Sequence, residues 1–216
     1  MNRPRSALAI PLAAAAAALY VLMWVAYAQQ WGWLSRIDWS MLNAAHDVAV
    51  KHPLWVPFWD GLSFALGPVP LRLLGMVATV VALVRRNVRA ALVLLACAPL
   101  NGLVTSEAKG LANRTRPPTM LVAASSTSFP SGHALGAMAA LSAMLALVLP
   151  MLSRATGRLV AVAVVVCVLG VGVARVALNV HHPSDVLAGW ALGYLYFLVC
   201  VLVFRPPTAV GHGAVT

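Results

Sequence analysis

Six apolar runs, at 8–28, 69–84, 88–104, 133–149, 159–178 and 186–204, constrain this chain more than any other feature. As helix, at about 1.5 Å per residue, most are long enough to cross the roughly 30 Å of a bilayer's hydrocarbon core. The second is the shortest, and the tryptophan-rich stretch before it can extend it. The predicted fold is therefore all-α, a polytopic membrane protein with six transmembrane helices. Composition agrees. Only 9% of residues are charged and 62% are hydrophobic, against about 25% charged in a soluble domain. That excludes both a soluble globular protein and a disordered one.

The first run has features of a signal peptide: Arg3 and Arg5 precede it, and Ala26-Tyr27-Ala28 resembles a cleavage site. It is longer than the usual apolar region of about 7–15 residues, so a retained helix is expected. Residues 1–216 are read as one membrane-embedded domain, with its chemical motifs at 109–185 and a flexible tail at 206–216.

Lys and Arg number 15 against 5 Asp and Glu. Such an excess suits an anionic partner, but these cations are scattered between apolar runs, which excludes a nucleic-acid surface. Their placement orients the chain. Arg3, Arg5, Arg85, Arg86, Arg89, Arg154, Arg158 and Arg205 cluster on one side, with no acidic neighbours. Asp38, Asp47, Asp60, Glu107 and Asp185 fall on the other. By the positive-inside rule both termini are cytoplasmic, in a cell membrane. The stretch 29–60 is then an outer loop, whose Trp31, Trp33, Trp39, Trp55 and Trp59 suit the interface and whose His46 and His52 read as ordinary interfacial side chains. Cys97, Cys167 and Cys200 sit in apolar runs and read as small buried hydrophobes.

Four cations break the charge rule: Lys109, Arg114, Arg116 and Arg175 lie on or near the outer side. A single such cation could snorkel to the interface. Here three polar clusters accompany them. The first is Lys109-Gly-Leu-Ala-Asn-Arg-Thr-Arg116-Pro117, with Lys109 and Arg116 two turns apart if the helix continues. The second, Ser128-Phe-Pro130-Ser131-Gly132-His133, leads into the fourth run, where first-turn N–H groups suit an anion. The third is Arg175-Val-Ala-Leu-Asn-Val-His181-His182-Pro183-Ser184-Asp185. Pro183 suits a first helical turn, which brings Asp185 within reach of the His181 ring. Together these groups meet the needs of phosphoryl transfer. Cations and amides neutralise phosphoryl oxygens, one imidazole attacks phosphorus while Asp185 holds its tautomer, and another protonates the leaving oxygen. A two-metal site wants more carboxylates than Asp185 and Glu107, so neither metal nor cofactor is expected.

The pattern K-x6-RP, PSGH, R-x5-H-x3-D resembles the type 2 phosphatidic acid phosphatase (PAP2) superfamily, which includes undecaprenyl-diphosphate phosphatases and soluble vanadium haloperoxidases. The six-run layout is similar to its membrane branch. The resemblance implies that His181 is a nucleophile forming phosphohistidine, with Asp185 as its partner. It implies that His133 is the general acid and then the base for water. It assigns the phosphate to Lys109, Arg116, Ser131, Gly132 and Arg175. Ala174 departs from a frequent serine, with a modest effect expected on the phosphate pocket. His182 reads as packing or a helix cap, and Arg114 as a candidate headgroup contact. The expected function is hydrolysis of a terminal phosphate from a lipid phosphomonoester or polyprenyl diphosphate, entering laterally from membrane lipid at the extracytoplasmic face. An anion or lipid transporter would use the same cations without needing the His181–Asp185 pair. A haloperoxidase-like, vanadate-binding enzyme would use the same pocket, but the six apolar runs argue against it.

Overall fold

The structure, a computed structural model, describes residues 3–204, with side chains from residue 9. The tail at 206–216 and the side chains of Arg3, Arg5 and Arg205 lie outside the described residues. Those described form the helices α1 (Arg3–Ala28), α2 (Gly32–Ala49), α3 (Trp55–Ala65), α4 (Pro68–Val84), α5 (Val88–Cys97), α6 (Asn101–Ala112), α7 (Gly132–Val148), α8 (Arg154–Ala177) and α9 (Pro183–Val203), with no strand among them. Six stretches are long and apolar enough to cross a membrane: Ala9–Ala28, Trp55–Val84, Val88–Ala112, Gly132–Met151, Arg154–Ala177 and Pro183–Val203.

Two boundaries differ from the sequence reading. The second span begins at Trp55, taking in the tryptophan-rich stretch that could extend it, and consists of α3 and α4 in series. Gly67 is extended there (φ −82°, ψ −178°) and Pro68 opens α4, so the helix is interrupted without being abandoned. Trp55 and Trp59 thus belong to a span rather than to the outer loop. That loop is itself largely α2, whose buried Leu34, Asp38 and Leu42 recur at the four-residue spacing of one helix face. The third span continues past residue 104 to Ala112, broken between α5 and α6 beside Pro99. Its polar second half hid it from a hydropathy reading.

Glycines set the central packing. A Cβ on Gly189 of α9 would lie 2.6 Å from the Ser131 carbonyl oxygen, and one on Gly193 would lie 2.5 Å from that of Leu135. Small residues four apart let the α9 backbone approach α7 directly, which joins the second polar cluster to the third. α1 covers the other side of α9. Its Tyr20, Trp24 and Tyr27 rings surround the fully buried Phe129 at centroid distances of 5.9–6.0 Å.

Candidate active site

The first cluster straddles a helix end. α6 stops at Ala112, and Asn113 takes the left-handed conformation (φ 45°) that caps it. Helix therefore does not carry Lys109 round to Arg116, so the two-turn spacing, which held only for a continuing helix, does not apply. Beyond the cap the chain leaves the helix, and Arg114 and Arg116, two residues apart, both reach the third cluster. That cluster is organised by the start of α9. His182 is the N-cap, Pro183 the first helical residue, and Asp185 reaches back to accept the His182 amide at 2.8 Å. This reciprocal cap satisfies two otherwise orphaned donors and gives His182 the capping role read for it.

Asp185 is fully buried and heavily used. Its Oδ2 also accepts from the Ser128 hydroxyl and lies 3.5 Å from His181 Nδ1. Its Oδ1 accepts from Arg114 Nη1 at 2.7 Å. On the far side of the same imidazole, Arg116 Nη1 sits 3.1 Å from Nε2. A guanidinium can only donate, so the partners assign Nδ1–H towards Asp185 and the Nε2 lone pair towards Arg116. Burial pushes the His181 pKa down from 6.5 to about 3. Asp185 opposes that shift, and Arg116 and Arg175 add to it. The ring is neutral at pH 7.

The ring borders a cavity of about 700 Å³, lined in part by Lys109, Arg116, Gly132, His133, Arg175 and His181. Lys109 Nζ is held by the Thr127 carbonyl, Arg116 by the carbonyls of Ser126 and Val180 at 2.6 Å each, and Arg175 by the Ser63 hydroxyl at 2.8 Å. Buried Arg175 Nε has no partner among the described residues. His133 packs at the α3–α4 break, where a Cβ on Gly67 would lie 3.4 Å from its Cδ2. Gly132 and His133 occupy the first turn of α7, where amides lack intrahelical partners.

Seven of the eight expected site residues come together here. Ser131 differs. It is fully buried and does not line the cavity, and its amide donates to the Asp185 carbonyl at 2.9 Å. It joins α7 to α9. Arg114 differs too. It is buried, stacked 4.7 Å over the Tyr27 ring, with its terminal nitrogens on Ser184, Asp185 and Asp38 rather than facing the cavity. Asp38 was missed. Its one signal is an acid on the otherwise apolar 34/38/42 face of α2. Arg72, which lines the cavity from α4, was also missed. It stands out only as an arginine inside an apolar run.

The fold and this cavity define a polytopic helical membrane protein with a cation-lined cavity. Residues 90–208, more than half the chain, match the family model of the PAP2 superfamily. The chain belongs to that superfamily. It is 43% identical to phosphatidylglycerophosphatase B of Bacillus subtilis over 82 residues, 37% of this chain and 40% of that protein. It is 38% identical to lipid A 1-phosphatase of Rhizobium johnstonii over 77 residues, 36% of this chain and 28% of that protein. The matched stretch is thus less than half of either relative's length. The crystal structure of a transmembrane PAP2-type phosphatidylglycerolphosphate phosphatase from Bacillus subtilis superposes with a TM-score of 0.71 at 26% identity, covering 86% of this chain and 93% of that one.

Proposed function

We propose that this protein is a membrane lipid phosphatase that removes a terminal phosphate from a lipid phosphomonoester or polyprenyl diphosphate through a phosphohistidine on His181. The carrying observation is the His181 ring, set between Asp185 and Arg116 at the wall of a cavity lined by Lys109, Arg116, Arg175 and the start of α7. The phosphoryl group sits among these cations and the amides of Gly132 and His133, which take up charge on its oxygens. Nε2 attacks phosphorus in line. The P–N bond forms as the P–O bond to the lipid breaks, and protonated His133 gives its proton to the departing oxygen. Asp185 accepts the hydrogen bond of the charged imidazole through Nδ1. Water then gives a proton to His133 and attacks phosphorus, releasing phosphate and restoring His181.

The names of the relatives support a lipid substrate. The arginines at 85, 86, 89, 154 and 158 support an extracytoplasmic site, because Arg154 and Arg158 begin α8 and Arg175 lies in its last turn. The test is phosphate release by the purified full-length protein from phosphatidylglycerol phosphate, phosphatidic acid, lipid A and a polyprenyl diphosphate, with and without chelator. We expect release from at least one, resistance to EDTA, inhibition by vanadate, and abolition by His181→Ala in a protein that still folds and inserts. Undiminished release by that variant would remove the phosphohistidine mechanism. No release from any substrate would favour a transporter.

A further inference from the structure

A second cavity, of about 710 Å³, lies between α4, α5 and the end of α7. It is separate from the catalytic one. α7 runs from Gly132 and His133 at the catalytic cavity to Val148 at this one, about 25 Å of helix. Small residues make the room. Ala78 and Ala82 lie four apart on one face of α4, and Ala90 of α5 lines the cavity with them. All three helices belong to membrane-spanning stretches, and Val148 on the rim is exposed. The groove therefore opens on hydrocarbon, and a lipid chain is what fills an apolar groove in that setting.

The mouth is not apolar. The α4–α5 turn consists of Arg85, Arg86 and Asn87, all exposed, and Arg85 and Asn87 line the cavity. Arg86 takes the left-handed conformation (φ 56°) that reverses the chain there. The Asn87 side-chain oxygen caps α5 by accepting from the Ala90 amide at 3.1 Å, which leaves its two N–H bonds to donate elsewhere. Arg85 forms no ion pair among the described residues. Arg89 near the start of α5, and Arg154 and Arg158 near the start of α8, add charge at this end. Every Asp and Glu lies instead in α2, α3, α6 or the first turn of α9. A phosphate therefore meets only cations and donors here, and an ammonium headgroup has no acid to pair with. Basic pockets between membrane helices select anionic lipids on these terms.

We propose that this cavity holds one phospholipid of net negative charge, with an acyl chain in the apolar groove and its phosphate on Arg85 and Asn87. The site belongs to the leaflet opposite the catalytic cavity and does not depend on the phosphatase reading. The test is native mass spectrometry of the delipidated full-length protein, titrated with phosphatidylglycerol or phosphatidylcholine of matched chains. One phosphatidylglycerol should bind about tenfold tighter than phosphatidylcholine. Arg85→Gln should erase that preference and Arg85→Lys should keep part of it. Val148→Phe should weaken both lipids by filling the groove. Arg85 and Val148 are exposed, so neither replacement disturbs the core. Arg175→Gln, in the catalytic cavity, should leave the preference intact. Equal binding of the two lipids by the wild type would mean unselected annular lipid and overturns the site. So does a preference that survives Arg85→Gln, or binding that Val148→Phe leaves unchanged. A preference abolished by Arg175→Gln but kept by Arg85→Gln would place the lipid in the catalytic cavity. A dimer that Val148→Phe splits into monomers would give the groove to a second copy of the chain, and overturns the lipid site as well.

Discussion

Asp38 and Arg114, 76 positions apart, form a buried ion pair at 2.8 Å, and the other terminal nitrogen of Arg114 lies 2.7 Å from Asp185. Asp38 also accepts from the Ser184 amide at 3.0 Å and the Ser184 hydroxyl at 2.6 Å. One guanidinium therefore bridges two buried carboxylates, and α2 is tied to the first turn of α9. Arg114→Ala leaves both without a cation, and breaking a buried pair in this way costs about 3–5 kcal/mol. The unfolding midpoint in detergent should fall and activity with it. Arg114→Lys should not restore either, because a point charge cannot fork between two acids. Asp38→Asn, which keeps the shape, should cost less. In a double-mutant cycle, Arg114→Ala with Asp38→Ala should be strongly non-additive; simple additivity would mean that the pair is not coupled.

The depressed pKa of His181 has a consequence for stability. Its ordinary value is 6.5 and its folded value about 3, so between those limits the unfolded chain binds more protons than the folded one. Stability present in full above pH 6.5 is then lost as pH falls towards 3. The groups that face the ring are Asp185 on one side and Arg116 and Arg175 on the other. Unfolding midpoints from pH 8 to 4 should decline more steeply for the wild type than for His181→Gln, which cannot titrate. Parallel curves would show that His181 is not held neutral by burial.

What was legible follows from local geometry. His181 and Asp185 are four residues apart across a Pro-marked helix start, so their meeting could be read from spacing, and so could the capping role of His182. Lys109 and Arg116 line one cavity although Asn113 ends the helix between them, so the helical spacing does not account for their meeting. Ser131 was assigned by motif, yet it is buried where α7 meets α9, with its amide on the Asp185 carbonyl, and no local pattern carries that information. Asp38 acts through a contact 146 positions away at Ser184. Arg72 and the start of α3 at Trp55 share one cause. In a hydropathy profile, polar groups that face an internal cavity look like interruptions of a span or like snorkelling side chains.

The orientation can be read chemically. In a background without Cys97, Cys167 and Cys200, Ser125→Cys lies on the exposed loop over the cavity and Ala155→Cys at the start of α8, at the opposite end of the bundle. Neither side chain takes part in a hydrogen bond described above. An impermeant thiol reagent added to whole cells should label the first directly and the second only after permeabilisation. The reverse pattern would put the site on the cytoplasmic face.

The two histidines should separate by leaving group. His133 is assigned as the acid, so its worth depends on how badly the departing oxygen needs a proton. An alkoxide leaves poorly and needs nearly complete protonation in the transition state, whereas nitrophenolate leaves without help. General acid catalysis contributes about 10²–10⁴-fold where it is needed. His133→Ala should therefore cost far more kcat on an alkyl phosphate than on p-nitrophenyl phosphate. His181→Ala should be equally damaging on both, since attack on phosphorus is needed whichever group departs. The comparison belongs to the phosphorylation step, because His133 also activates water for the second step, and burst kinetics isolate the first. Equal losses for His133→Ala in the burst would strip it of the acid role and leave it as a group that only contacts the phosphate.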